Sequence, residues 1–419
     1  MDCQRSSCTP SFNGFHGQFF VPTVSATSAS SQESRKSSKT ARLLDLFEVS
    51  TTQELQTKKK HRPIGLTEKR LRLILSEAKR IRTQSKNPAN LLDICGESFL
   101  TVSSQAEPLQ IFHLLPMPPK AMGETATIHD AFHVNKGKNI TLKIARNEKY
   151  PSSRDTLKHE IQGLIHIHSK LNTKKIQAKP YVSFEIENVY CGFAGKTYAL
   201  DLYNLLFEQG KIPPLQIRLL WCYDLAVALA ELMTINVVHG DPKLENVFCR
   251  EHEGRIKVCL GDFGAHFDLA KIDQIPLTFH SFSYGSCPFA DFALIKQAVK
   301  ENNGELFAAV RKAHDVYALG CLFHEILTGG PSPYPLGEGS FPDHSAPFDS
   351  AILNQHTQDE NLCLLLEEML HRDYLFRPNI FTIVQSMQPI LKEFKCDFEE
   401  SPLLKRETGD SYLKNLEED

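Results

Sequence analysis

At 419 residues, 41% of them hydrophobic, the chain can bury one large core or two ordinary ones. Its 47 basic and 50 acidic side chains leave a formal charge of −3, so no global field points to nucleic acid or acidic partners. The eleven cysteines are odd in number and form no CxxC pair, which argues against a disulfide framework or a zinc site and for reduced, intracellular thiols. No apolar run reaches the length of a bilayer span and the N-terminus has no hydrophobic signal core, so a soluble, cytoplasmic protein is expected.

Residues 1–39 are rich in Ser, Thr and small side chains, with clusters such as SATSASSQESRKSS. They offer too little apolar surface to offset the entropy of ordering, so a disordered leader is expected. Such a leader suits a regulatory tail, an autophosphorylation target or the export signal of a bacterial effector. Residues 40–108 read as a partly helical N-terminal extension. Leu43, Leu44, Leu46 and Phe47 suggest a short helix, and Lys58 to Arg62 (KKKHR) form a basic cluster that reads as plain surface or a nuclear address. Thr67 to Arg82 place Leu71, Ile74, Ala78 and Ile81 on one helical face, with Lys and Arg around it. A basic amphipathic helix can make a weak contact with a partner or an anionic surface, but more often it docks on its own domain.

From Leu109 the pattern changes. Ile111 to Leu115 read as a strand, followed by AMGETATIHDAF and a second extended stretch ending in Thr141 to Ala145. Lys143 there alternates with Leu142 and Ile144, as an inward-pointing charge would. Asp155 to Leu171 form a helix by period, with Leu157, Ile161, Leu164, Ile165 and His168 near one face. Tyr181–Glu187 and Val189–Phe193 look like a hairpin. Leu215 to Ile235 form a long helix whose apolar stripe is wide enough to be buried. It leads directly into HGDPKLENVF, His239 to Phe248; a short strand (Ile256, Val258, Leu260) and LGDFG, Leu260 to Gly264, follow.

This stretch gathers what phosphoryl transfer needs: a carboxylate to orient a hydroxyl and accept its proton, and oxygen ligands for magnesium. Asp241, Asn246 and Asp262 supply them, and Lys243 can reach a transferring phosphoryl group as a point charge. Asp241 and Asn246 could instead cap a helix or shape a turn. Against that, four functional positions and a glycine agree in order and spacing. The stretch resembles the protein-kinase catalytic loop followed by its DFG.

The resemblance covers residues 109–394, about two thirds of the chain, and implies an α+β fold of two lobes, a small β-rich N-lobe and a larger helical C-lobe. The family's phosphate loop carries three glycines, GxGxxGxV. Its best register here is Ala121, Gly123, Ala126 and Ile128, in which only the middle glycine survives. Lys143, 15 residues after Ile128, falls on the family's nucleotide lysine, and Glu160, 17 residues later, on its partner glutamate. KAHDVYALGCLFHEILTG (Lys312 to Gly329) matches the central helix, in which Asp315 would hold the catalytic-loop backbone. Arg377 resembles the arginine that pairs with the end of the activation segment, where Pro288 and Asp291 form a degenerate version of APE. The long interval from Asp291 to Asp315 implies an insertion around residues 296–304. The charged tail, 395–419, is expected to be loosely held.

The resemblance therefore implies an ATP- and magnesium-dependent serine/threonine protein kinase acting on a protein substrate. Asp241 and Lys243 would be catalytic, Lys143 and Glu160 would serve the nucleotide, and Asn246 and Asp262 would hold metal. A lysine two residues after the catalytic aspartate accompanies the Ser/Thr kinases of the family. Two alternatives stand beside it: a small-molecule kinase of the aminoglycoside or choline type, which shares HGD, and a pseudokinase scaffold, suggested by the depleted glycine loop. In many kinases an arginine precedes the catalytic aspartate and clamps a phosphate on the activation segment. Gly240 stands there instead, so a segment ordered by packing (Phe279, Phe282, Tyr284), without a phosphate on Thr278, Ser281, Ser283 or Ser286, is expected.

Overall fold

The computed structural model describes residues 68–398, apart from 85–88, 95–96, 104–108, 116–118, 124, 147–151, 187–189, 253–254, 275–276, 278–288, 331, 336–342, 345 and 347. The leader, the basic cluster at 58–62 and most of the C-terminal tail lie outside the described residues.

Helix α1 (Glu68–Gln84) forms where the basic amphipathic pattern is read. Ile74 and Ala78 are buried against Leu92, Phe99, Ile111 and Val134, so the sheet below covers this apolar face, while Arg72 and Lys79 are exposed. Strands β1 (Ala89–Ile94) and β2 (Glu97–Val102) make an antiparallel hairpin, and β2 pairs with β3 (Gln110–Leu114) in the register Phe99 opposite His113. The boundary read at residue 109 therefore falls inside a continuous sheet. Phe99, Leu100, Thr101 and Val102 are all buried, so β2 has no solvent face and lacks the alternation that would mark it as a strand.

The sheet continues through β4 (Ala121–Met122), β5 (Ala126–His133), β6 (Lys138–Ala145), β7 (Val182–Ile186) and β8 (Tyr190–Lys196). It has eight strands in the order β1-β2-β3-β5-β6-β8-β7, with β4 paired to β5. Helix α2 (Ser153–Lys170) buries Leu157, Ile161, Leu164 and Ile167, a three-four spacing that turns one face inward.

Residues 197–199 lead from β8 into β9 (Leu200–Asp201), which pairs with the hairpin of β11 (Val247–His252) and β12 (Arg255–Leu260). The lobe hinge is thus these three residues. Helix α3 (Leu215–Met233) is apolar nearly all round, and between Leu219 and Leu232 all but Leu220 and Asp224 are buried. Two short strands, β10 (Val237–Val238) and β13 (Phe267–Asp268), pair across the site. The remaining helices are α4 (Phe289–Glu301), α5 (Gly304–Thr328), α6 (Ser350–Thr357), α7 (Glu360–Met369) and α8 (Ile380–Glu393). Helices α3, α5, α7 and α8 share one core that includes Leu225, Phe323, Leu366 and Met387. The architecture is that of a β-rich lobe followed by a helical lobe.

Helix α5 begins eight residues before the expected Lys312. Asn303 caps it, accepting from Leu306 N at 3.0 Å, and Phe307 and Val310 extend its buried face upstream. The region around 296–304, expected as an insertion, is the junction of two helices at Asn302 and Asn303. Among the described residues no helix is long and apolar enough to cross a membrane.

Candidate active site

The antiparallel register of β5 and β6 sets Ile128 opposite Lys143. From β6 the ammonium of Lys143 reaches Glu160 Oε2 on α2 at 2.7 Å and Asp262 Oδ1 at 2.9 Å. Glu160 is 2% exposed, and its burial raises its pKa above the ordinary carboxylate range, with Lys143 pulling it back. Burial opposes the charge on Lys143 as well, yet the two carboxylates together lift its pKa above that of an ordinary lysine. The same ammonium holds Asp262, half-buried, below the usual aspartate value against the desolvation that would raise it. Asp262 is left-handed at φ 56°, a conformation few non-glycine residues adopt, and its main-chain N–H donates to Gln177 Oε1 at 3.0 Å. Both the lysine bond and a long one from Gly264 N (3.4 Å) fall on Oδ1.

Helix α3 delivers the chain through β10 to His239, which is fully buried. His239 Nε2 donates to Gly261 O at 2.9 Å and Nδ1 accepts from Asp241 N at 3.2 Å, an arrangement only the neutral ring can make. Burial lowers its pKa accordingly. Asp315 on α5 accepts from His239 N (2.7 Å) and Gly240 N (2.8 Å), gripping the loop from beneath. Asp241 Oδ2 takes Asn246 Nδ2 at 2.9 Å and Lys243 Nζ at 2.7 Å. Asp241 Oδ1 is buried and has no hydrogen-bond partner among the described residues. A buried acceptor with no donor is rare and asks for an explanation.

Asn246 spends its amide nitrogen on Asp241, on both the side chain and the main-chain oxygen at 2.9 Å, leaving its amide oxygen as the atom able to meet a cation. With Asp262 this makes two oxygen donors. Magnesium needs no more from a protein when phosphates and water complete its shell.

The loop of Ala121, Gly123, Ala126 and Ile128 is a tight hairpin. Ala121 pairs with Ile128, Gly123 N donates to Ala126 O at 2.9 Å, and Arg146 Nη1 donates to Gly123 O at 2.8 Å. A Cβ at Gly123 would meet Ala126 O at 3.5 Å, an ordinary contact, so this hairpin does not itself require glycine, and alanine at its neighbours is unstrained. Just before it, Lys120 Nζ donates to the hinge carbonyl of Tyr198 at 2.9 Å.

Arg377 meets Asp291 through two parallel bonds, Nη1 to Oδ2 at 2.6 Å and Nη2 to Oδ1 at 3.0 Å, with both side chains almost wholly buried. The degenerate APE thus keeps its acid, one carbon shorter. Thr278, Phe279, Ser281, Phe282, Ser283, Tyr284, Ser286 and Pro288 lie outside the described residues. Gln177 and Arg311 are the contributors that sequence reasoning missed. Gln177 braces Asp262 from 85 residues away, and Arg311 lies beside Gly240. No local spacing marks either, although the bare glycine at 240 hints that another side chain fills its place.

The family model of the protein kinase domain matches residues 122–387, well over half the chain. The chain belongs to the protein kinase family. Among curated relatives of this kinase, a probable serine/threonine-protein kinase of Dictyostelium discoideum is 26% identical over 173 residues, covering 40% of this chain and 21% of the relative. Serine/threonine-protein kinase PkaA of Streptomyces coelicolor is 26% identical over 199 residues, covering 45% and 32%. Serine/threonine-protein kinase 1 of the Lymantria dispar multicapsid nuclear polyhedrosis virus is 37% identical over 130 residues, covering 31% and 39%. The kinase thus spans less than half the length of each of these relatives. A solved structure of the Rad53 kinase domain with SCD2 is similar with a TM-score of 0.46 at 16% identity, covering 62% of this chain and 87% of that one.

Proposed function

We propose that this chain is a serine/threonine protein kinase that transfers the γ-phosphoryl group of ATP to hydroxyls of a protein substrate. The observation that carries this is Asp241: one carboxylate oxygen is held by Asn246 and Lys243, and the other has no donor among the described residues. That oxygen would orient the substrate hydroxyl and take its proton as the phosphoryl group is accepted. Lys143, held by Glu160, would bind the α and β phosphates, with the hairpin of Ala121, Gly123, Ala126 and Ile128 above them. Asn246 and Asp262 would hold magnesium, and Lys243 would offset charge on the γ-phosphate. ATP supplies the transferable group and magnesium neutralises the charge that builds up on it. Everything the chain contributes is positioning and electrostatics, as this reaction demands.

Lys243, two residues after Asp241, supports Ser/Thr over tyrosine specificity, as do the names of the relatives. A small-molecule kinase fits less well, because Asp315 and the Asp291–Arg377 pair belong to the protein-kinase C-lobe. A pseudokinase scaffold is disfavoured by the intact set of six phosphoryl-transfer side chains. Balanced charge and free thiols support an intracellular site of action. Any contact made by α1 would use its exposed Arg72 and Lys79.

The test is magnesium-dependent phosphate transfer to a generic basic protein, with Asp241→Asn as control. The wild type should turn over and the variant lose about a hundredfold or more. Equal rates from the two proteins, or transfer indifferent to magnesium, would refute the assignment.

A further inference from the structure

Gly240 is bare of side chain because another residue fills its space. Its φ is +84°, and a Cβ there would lie 2.4 Å from Ala265 O and 2.6 Å from Arg311 Nη2. Both contacts are closer than real Cβ atoms come, and the first is to backbone, so no side chain fits at 240 without moving the chain after Asp262. Arg311 arrives from α5 and is 1% exposed; its Nη2 donates to Ala265 O at 2.8 Å. On the next turn of the same helix, His314 Nε2 donates to Gly240 O at 3.3 Å, and Asp315 accepts from His239 N and Gly240 N. Residues 311–315 therefore hold two loops at once: the backbone just before Asp241 and the backbone three residues after Asp262.

A guanidinium buried this deeply needs compensating charge and acceptors. The Ala265 carbonyl is one acceptor. Asp315 supplies charge: burial raises its pKa, and His239 and Arg311 pull it back. The cation is thus built into the core of the helical lobe, and it stands beside the position where many kinases carry an arginine that waits for a phosphate.

Granting the kinase reading above, we infer that Arg311 is a positioning residue that fixes Asp241 relative to Asp262 from α5, so that this kinase needs no phosphate on its activation segment to align them. The geometry differs from a phosphate clamp in one respect that matters. A phosphate-dependent arginine gains its second anchor only after modification, whereas Arg311 already has Ala265 O. The switch is replaced by a fixed tie.

The test compares full-length wild type, Arg311→Met, which keeps bulk without donors, and Arg311→Lys, which keeps charge and one donor group. Nucleotide sites are counted by titration with a non-transferable ATP analogue and magnesium, and rates are expressed per site. Arg311→Met should bind the analogue within about threefold of wild type but turn over at least about tenfold more slowly, since Arg311 sets alignment and not nucleotide contact. Arg311→Lys should recover most of that loss. Amide hydrogen exchange across 239–246 and 262–268 should speed by about tenfold in Arg311→Met, a readout that needs no turnover. Phosphatase treatment of the wild type should leave its rate unchanged. Wild-type turnover per site in Arg311→Met, unchanged exchange in both segments, or a tenfold loss on phosphatase treatment would each overturn the inference. If Arg311→Met binds no nucleotide, the phosphatase and Arg311→Lys arms decide. A wild type without Asp241-dependent transfer would instead refute the kinase reading, and the exchange measurement would still judge Arg311.

Discussion

Lys143 sits between two carboxylates, and of these Glu160 is buried and depends on the ammonium to hold its charge. Removing Glu160's charge leaves Lys143 with Asp262 alone. The ammonium would then follow Asp262 instead of standing between the two lobes. Glu160→Gln should therefore weaken ATP use, with kcat/KM for ATP falling about ten- to a hundredfold while the protein still folds. Lys143→Met should do worse, because it leaves Glu160 buried without its cation. The check is steady-state kinetics at several ATP concentrations on protein whose melting is still cooperative. A Lys143→Met enzyme with wild-type kcat/KM would show that the hairpin register from Ala121 to Ile128 has been assigned to the wrong strand.

At the scale of elements, two packings carry the fold. Helix α1 closes the end of the sheet with Ile74, which is fully buried, so Ile74→Ala should cost about 2–5 kcal/mol and lower the melting temperature. An unchanged melting curve would mean that α1 does not dock in solution. Asp291 ties the start of α4 to Arg377, with both partners buried, so Asp291→Ala should cost about 3–5 kcal/mol because it strands a guanidinium. These two elements also show how far the sequence could be read. Asp291 is legible because its partner lies in a second motif, Lys143 because strand alternation aims it inward, and Glu160 because its distance from Lys143 matches the family's pair. β1 and β2 are not, since ANLLDI and ESFLTV are short and the buried run in ESFLTV has no alternation. Their strand character comes from pairing with β3, which only the folded chain provides. The early start of α5 was hidden for a similar reason: a family landmark marked its middle, whereas the cap at Asn303 is a single residue. Arg311 was hidden altogether, because its acceptor at Ala265 is 46 residues away in sequence.

Across the whole molecule, buried titratable groups set how stability varies with pH. His129 and His133 are pushed down to about 4, and His266 and His314 to about 3, in each case first by burial. A histidine whose folded pKa lies below its unfolded value contributes stability that is full above about pH 6.5 and is lost as the pH falls below it, because the unfolded chain binds the proton first. The buried carboxyls act in the opposite sense. Glu325 is raised to about 8 by burial and by Glu245, and Glu160 is raised by burial. Their contribution is full below the ordinary carboxylate pKa and is lost as the pH rises through the folded one. Between pH 8 and 6.5 only the carboxyls change, so stability should rise on acidification. Below 6.5 five histidines, His239 with the four above, oppose at most four raised carboxyls, Asp291 and Asp315 with these two, and stability should fall. Melting temperature should therefore peak near pH 6.5. His133→Asn, far in sequence from the Asp241 loop, removes one of the five rings and should shrink the loss between pH 6.5 and 5 by about 2 kcal/mol. A melting temperature that keeps rising to pH 5 would mean that these rings are protonated in the folded chain, each keeping its present N–H bond, such as His133 to Gln110 Oε1, and finding an acceptor for its second N–H.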